Sequence, residues 1–492
     1  MTPRHKPRPT ISDKKELVWG RHRMPDSEAT GHFLAVAASG GGKSTLLQLL
    51  MQSALGQIGV APDTRALVYD AKQDALPQLE AICPSARIIT AHPYDKRGAA
   101  WDLYRDVKDP AVALEIAHTL IPPANESQPF FADASRHLLY GVIVSLILTG
   151  KPWTFATLIR IMQVSRRIRR VLRRHEVTRP IEKEYFSEAR EAANIMSTVA
   201  TKLLPFANIA ASWETTETSF SLEDWVKGDW ILVLGNYETS RSAIDAINRC
   251  IFKRATDLVL NQSNSFTRRT WFIWDELSEA GKLDGLVPIM KKGRSKGACC
   301  VLAFQSVQGL RDRKLYGSEE TDEILGQIAN RFFGRLECVA TAEWASSLFG
   351  DQELEEESVT ESTGAGGSSR SVNRHRTSKR LVIPSEFMDL EACNQENGLS
   401  GYYIVRSHGA YFDQIEGSEL WGKSLVPPRN DIPEFIPRPS MAMLLKPWTA
   451  EEDSTFCVPA KRREQAPKRR YERNESPSDE VRNFEDLDRL FQ

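Results

Sequence analysis

The chain has 492 residues, 41% hydrophobic and 26% charged, which is enough apolar material for a large core and excludes a disordered or collagen-like protein. Its 64 Lys and Arg against 65 Asp and Glu give a formal charge of −1. That balance excludes a histone-like binder that holds nucleic acid by bulk charge, so any DNA contact comes from local patches.

In chain order, residues 1–30 read as an irregular N-terminal arm. Its first 23 residues are basic and Pro-rich without an apolar signal region, so a cytosolic chain is expected. Residues 31–38 predict a short buried strand that runs into a Gly-rich turn, followed by a helix over 44–55. Residues 66–69 form a second expected strand, ended by Asp70, and 87–90 a third. Strands alternating with helices predict an α/β fold with a mostly parallel sheet covered on both faces. Between 105 and 212 no strand pattern occurs, and helical stretches at 110–120, 131–148, 155–175 and 182–204 predict an all-α domain inserted into the core. The most apolar window, 138–148, falls short of the roughly 20 residues needed to cross a bilayer and reads as a core helix. Strand patterns resume at 230–234, 270–274 and 298–304, with two more at 330–336 and 401–405. The nucleotide-binding core would thus comprise 31–104 and 213–426. Within it, 351–380 is acidic, then Gly/Ser-rich, then basic, the composition of a mobile loop. The segment 427–492, with basic clusters at 461–463 and 468–470, reads as a disordered tail. Seven cysteines without CxxC or Cys/His spacing support neither a structural zinc nor a disulfide framework.

The sharpest motif is Ala37, Ala38, Ser39, Gly40, Gly41, Gly42, Lys43, Ser44, Thr45, placed between a strand and a helix as a phosphate-binding loop must be. Glycines let backbone N–H groups turn inward around a phosphate, and the helix start adds partial positive charge. Lys43 would reach the β- and γ-phosphates of ATP, and Ser44 would offer a hydroxyl to Mg²⁺. Ala37 stands where the pattern has its first glycine, which an ordinary backbone region permits. The strand at 270–274 ends in Asp275 and Glu276, a carboxylate for Mg²⁺ and one to orient or deprotonate the attacking water. Gln305, after the strand 298–304, is either a γ-phosphate sensor on the same carboxyl edge or a capped strand end. Arg294 is either part of a solvated basic loop or a group offered to a neighbour's phosphate.

The order of these motifs resembles the type IV secretion coupling proteins, RecA-like hexameric ATPases that feed DNA to conjugative secretion channels. The resemblance covers about residues 31–415. It rests on the loop at 37–45, Asp70-Ala71-Lys72, the helical insertion, 272–276, 293–297, Gln305-Ser306 and Asn330-Arg331. It implies a RecA-like P-loop NTPase core with an inserted all-α domain. Lys43 and Ser44 would be the Walker A residues and Asp275 and Glu276 the Walker B pair. Arg294 would be an arginine finger acting across a subunit boundary, and Gln305 the link between hydrolysis and motion. Family members usually carry N-terminal membrane-spanning helices, and none precedes the P-loop here. The expected location is therefore cytoplasmic, peripheral at the inner membrane through partners. Expected partners are sequence-tolerant DNA, further copies in a hexameric ring, and relaxosome and secretion-channel proteins. A soluble HerA/FtsK-like DNA pump and an ATP-binding cargo receptor without motor activity are the alternatives. The densest basic run, 166–174, places Ile161, Val164, Ile168 and Val171 on one helical face and leaves six arginines for phosphates or an acidic protein surface.

Overall fold

The computed structural model describes residues 16–123, 129–364 and 367–459. Its strands are β1 (Glu16–Trp19), β2 (His22–Pro25), β3 (Phe33–Val36), β4 (Thr64–Asp70), β5 (Arg87–Thr90), β6 (Ala100–Trp101), β7 (Ser219–Phe220), β8 (Trp230–Gly235), β9 (Arg269–Trp274), β10 (Ala298–Phe304), β11 (Asn330–Phe333), β12 (Asp351–Gly364), β13 (Gly367–Arg380), β14 (Leu399–Val405) and β15 (Gly409–Ile415). Helix α1 (Lys43–Leu55) follows β3, and α2 (Ala75–Ile82) follows β4.

One nine-stranded sheet, ordered β15-β14-β11-β3-β10-β9-β4-β8-β5, carries the chain. The seven strands from β11 to β5 are parallel, and β14 and β15 join antiparallel at one edge. Successive strand side chains point to opposite faces, and the packing follows that period. Leu67, Leu232, Phe272 and Leu302 face one core, whereas Val68, Val233, Ile273 and Val301 face the other with the apolar side of α1. With both faces covered, β4, β8, β9 and β10 are buried along their whole length. This is the reason they read as uninterrupted apolar runs.

Between β6 and β7 the chain forms helices Pro110–Leu120, Phe130–Thr149, Phe155–Met162, Ser165–Leu172, Arg179–Tyr185, Ala189–Leu203 and Ala207–Glu214. Their apolar sides merge with one face of the sheet into a single core. The expected helix 155–175 is two helices, because the backbone is extended at Val164 and its side chain turns outward. Among the described residues, Phe130–Thr149 has the length and apolarity to cross a membrane, and two thirds of its apolar window is buried against neighbouring helices. Asp106 ties the insertion to its return strand. Its fully buried carboxylate accepts from Trp101 Nε1 (2.6 Å), Ser221 Oγ (2.6 Å) and the N–H groups of Leu222 (2.7 Å) and Glu223 (3.1 Å).

Three further expectations are corrected. The described part of the N-terminal arm is not irregular: β1 and β2 form a hairpin, and Leu17, Trp19 and Met24 are buried against α1 and β3. The Val18 N–H donates to Ser53 Oγ of α1 (2.9 Å). Residues 351–364 and 367–380 are not a loop but the antiparallel pair β12 and β13, in register from Asp351 opposite Arg380 to Gly364 opposite Gly367; opposite charges facing each other across the ladder favour this pairing.

The third correction concerns the tail, which is packed as far as it is described. The Lys96 N–H donates to Ile436 O (2.8 Å), and the buried Arg438 donates to the carbonyls of Pro93, Asp95 and Gly98. A helix Ala450–Phe456, opened by a Thr449/Glu452 capping box, seats Phe456 in the helical core. There Arg160 bridges Glu214 (2.6 Å) and Glu452. The clusters at 461–463 and 468–470 lie outside the described residues.

Asp106→Ala strands one indole and two backbone donors in the core. It is expected to lower the unfolding free energy by about 3 kcal/mol, read from urea denaturation, with a smaller loss for Asp106→Asn.

Candidate nucleotide-binding site

Strand ends at the carboxyl edge of a parallel sheet converge, and four of them do so here: the loop after β3, Asp70 at the end of β4, Asp275 and Glu276 after β9, and Gln305 after β10. Left-handed backbone in the phosphate loop falls at Gly40 (φ 70°) and Gly42 (φ 94°), while Ala37 needs no positive φ. Ala37 is therefore compatible with the loop. A Cβ on Gly42 would lie 2.3 Å from Leu399 Cδ1, and one on Gly41 2.9 Å from the Arg335 carbonyl. Ser39 is exposed at the loop's turn, and its carbonyl accepts from Arg335 Nη2 (3.4 Å). Thr45, one turn into α1, touches Cys393 Sγ (3.6 Å).

Lys43 is buried, and its ammonium donates to the carbonyls of Ala37 (2.5 Å) and Ala38 (3.2 Å). Burial pulls its pKa below the ordinary lysine value, against the opposing pull of Glu276 and Asp275. Ser44 Oγ donates to Asp275 Oδ1 (3.2 Å), so the two expected Mg²⁺ ligands are already adjacent. The Lys72 ammonium sits against both, 3.1 Å from Ser44 Oγ and 3.2 Å from Asp275 Oδ2. Burial disfavours that ammonium, but the Asp275 charge and hydrogen bond outweigh it and raise its pKa. A cation resting between two hard oxygens fits a Mg²⁺ position, since Mg²⁺ takes few protein ligands and completes its shell with phosphate and water.

Glu276 is buried, and both of its oxygens are engaged: Ser278 Oγ donates to Oε1 (2.7 Å) and Gln305 Nε2 to Oε2 (3.0 Å). One N–H of the Gln305 amide thus holds the Glu276 carboxylate, and the structure leaves both readings of Gln305 in place. Arg294 stands elsewhere. It is exposed in the turn before β10, beside Lys291, Lys292 and Phe266, at the amino edge of the sheet. Seven residues of β10 separate it from Gln305, roughly 20 Å at strand rise. The arrangement brings Lys43, Ser44, Asp275, Glu276 and Gln305 together and does not bring Arg294 to them.

Sequence reasoning missed several contributors. Ser278 has no motif signature. A cavity of about 310 Å³ beside Ser44 and Asp275 is lined by Gln48 and Met51 of α1, Asp74, and Pro428 and Glu434 from the C-terminal segment. The Asp70 carboxylate accepts from the N–H groups of Asp74 (3.2 Å) and Ala75 (3.0 Å) at the start of α2, and burial pushes its pKa up to about 6. His32 holds the Arg294 turn from behind: its Nε2 lies 3.1 Å from Met290 O and its Nδ1 accepts from the Cys300 N–H (3.0 Å). Burial lowers its pKa to about 4, so it is neutral.

The expected basic face at 166–174 is largely consumed within the chain. Arg169 (2.8 Å) and Arg173 (2.6 Å) share Glu182, Arg170 pairs with Asp453 (2.7 Å), and Arg167 lies over the Trp448 ring. The run has no acid of its own; its partners come from other helices and the C-terminal segment.

The strand, glycine turn and helix, with adjoining acidic strand ends and an inserted helical domain, define a RecA-like P-loop fold. The chain belongs to the family described as the type IV secretion-system coupling protein DNA-binding domain, whose model matches residues 18–404. It is 24% identical over 310 residues to coupling protein TraD of Escherichia coli (strain K12), covering 61% of this chain and 42% of that protein. It is 25% identical over 214 residues to conjugal transfer protein TraG of Rhizobium radiobacter, covering 43% of this chain and 33% of that one. The chain thus spans less than half the length of these curated relatives. Its fold is that of the unbound bacterial conjugative coupling protein TrwBdeltaN70 (TM-score 0.64, 19% identity, 87% of this chain and 93% of that one). It matches equally the plasmid coupling protein TrwB in complex with ADP and Mg²⁺ (TM-score 0.62, 20% identity, 87% and 94%).

Gly42→Ala is expected to abolish binding of a fluorescent ATP analogue while leaving the far-ultraviolet circular dichroism unchanged. A second expectation concerns pH. The folded-state pKa of Asp70 lies above its unfolded value, so the stability it contributes is present below about pH 4 and is lost as pH rises through about 6. Between those limits the parent should lose about 2 kcal/mol relative to Asp70→Asn in urea titrations.

Proposed function

We propose that the chain is the ATP-driven coupling subunit of a conjugative type IV secretion pathway, hydrolysing ATP to move DNA, with attached protein, toward a secretion channel. The observation that carries the hydrolytic part is the Glu276 carboxylate, tied at both oxygens and flanked by Lys43 and the Ser44–Asp275 pair. Family membership and the similarity to TraD and TraG support the transport part.

In this reading the triphosphate lies against the N–H groups of residues 40–44, and Lys43 leaves the Ala37 and Ala38 carbonyls for the β- and γ-phosphates. Ser44 Oγ and Asp275 would hold Mg²⁺, displacing the Lys72 ammonium; the ion supplies charge neutralisation between phosphate oxygens. Glu276 orients a water and accepts its proton. The water oxygen bonds to the γ-phosphorus as the bond to the β,γ-bridging oxygen breaks, releasing ADP and phosphate. Gln305 and Ser278 keep the carboxylate aimed, and Gln305 passes its displacement into β10. Because Arg294 is a strand's length from its own loop, its guanidinium serves the nucleotide of an adjoining copy in a homo-oligomeric ring, a hexamer by family resemblance. DNA contact is sequence-tolerant and salt-sensitive. Relaxosome and channel proteins are the further partners, met at the cytoplasmic face of the inner membrane.

Glu276→Gln should retain binding of Mg²⁺ and ATP while lowering turnover at least 100-fold. Arg294→Ala and Lys43→Ala should each be inactive alone, and mixing them should restore turnover, because each loop of the first variant then meets an Arg294 of the second. An inactive mixture of co-assembled subunits would place Arg294 outside the reaction.

A further inference from the structure

The hairpin β12–β13 exceeds any role it has within one chain. Each strand has fourteen residues, roughly 45 Å at strand rise. No third strand joins the pair among the described residues. It is anchored at its base, where Arg380 Nη1 donates to Glu343 O (3.2 Å) and Ser346 Oγ (3.0 Å) and the Leu381 N–H donates to Gly350 O (3.1 Å). A lone two-stranded ribbon is marginal in water, and this one has no apolar face to bury; Val359 and Val372, directly opposite each other, are about half exposed.

Its charges are divided by strand. β12 carries six Asp and Glu and no Lys or Arg, while β13 carries five Lys and Arg and no Asp or Glu. The register sets Glu355 opposite Arg376 and Glu357 opposite Arg374 on one face. Arg374 Nε donates to Glu357 (2.6 Å) and Arg376 Nε to Glu355 (3.3 Å), yet all four side chains remain half or more exposed. Among the described residues no further strand pairs with either outer edge; an open edge is a template for strand addition, and the single sign of charge along each strand selects an edge of the opposite sign.

We propose that the acidic edge of β12 receives the basic edge of β13 from a second copy of this chain, building one antiparallel sheet around the assembly. The inference rests on the reading of the chain as a homo-oligomeric ring. In this arrangement the hairpin runs along the rotation axis of the ring, so that all copies send their hairpins in the same direction. The returning β13 of one copy then lies antiparallel to the outgoing β12 of the next, with opposite charges in contact. Such a head-to-tail contact repeats without change from copy to copy around a ring. A polynucleotide is the poorer occupant. The hairpin is nearly neutral, and a column of carboxylates lies about 5 Å from the arginines that a phosphate would seek.

The test uses full-length chains in sedimentation velocity across a concentration series. Glu355→Lys/Glu357→Lys sets lysines opposite Arg376 and Arg374, and Arg374→Glu/Arg376→Glu sets glutamates opposite Glu357 and Glu355, so each variant puts like charges at the same two positions of both strands. Each variant alone is expected to associate at least tenfold more weakly than the parent, and an equimolar mixture to return to the parent's association. Rescue isolates the contact between chains, because repulsion inside each altered hairpin persists in the mixture. Parent-like assembly of either variant alone, or a mixture that stays dissociated, overturns the proposal. Binding of a fluorescent ATP analogue, read in parallel, depends on one chain's loop and should stay within twofold of the parent. A failed nucleotide site is thereby told apart from failed edge pairing.

Discussion

Backbone hydrogen bonds fasten the phosphate loop to the strands on either side of it. The Ala37 N–H donates to Phe304 O of β10 (3.4 Å), the Ala38 N–H to Arg335 O beyond β11 (2.7 Å), and the Cys393 N–H to Gly40 O (2.7 Å). The loop's curvature is thus set by the sheet, because β3 lies between β10 and β11. The same closeness excludes a side chain at Gly41 and Gly42. It also places Lys43 and Ser44 at a fixed distance from the acids that end β9, one strand beyond β10. The site is preorganised by packing that lies mostly outside it.

The carboxyl edge of the sheet and the helical insertion share one body of packed side chains. Phe272 and Trp274, just before Asp275, belong to the core that also holds Leu138, Ile159 and Val199 of the helical insertion. Phe304, next to Gln305, belongs to it too. Close-packed interiors shift between discrete arrangements rather than deforming smoothly. Glu276 and Gln305 therefore border the same packed body as the helices of the insertion, and Asp106 with its four donors joins the two parts.

The central strands are legible in the sequence because burial on both faces leaves uninterrupted apolar runs, as at Ala298–Phe304, where expectation and structure coincide. The loop at 37–45 is legible because glycines and a Lys-Ser pair have one common use after a strand. What is not legible depends on partners far away in sequence. The alternation of Leu17 and Trp19 is too short to register as a strand without α1 beneath it. β12 and β13 lack an apolar period, since their pairing is electrostatic, and so they mimic a loop. Arg166 to Arg174 looks unpaired in sequence because Glu182 and Asp453 belong to other elements. Ser278 acquires meaning only once Glu276 is seen between it and Gln305.

The C-terminal segment changes what counts as one folding unit. The family match ends at residue 404, one residue before the end of β14, and β15 and everything after it lie beyond that limit. A protein cut there would lose the edge partner of β14 along seven residue pairs. It would also strip Glu452 from Arg160 and empty the cradle of carbonyls that encloses Arg438. The packed body therefore extends past Phe456, and a boundary drawn from similarity alone cuts through its contacts.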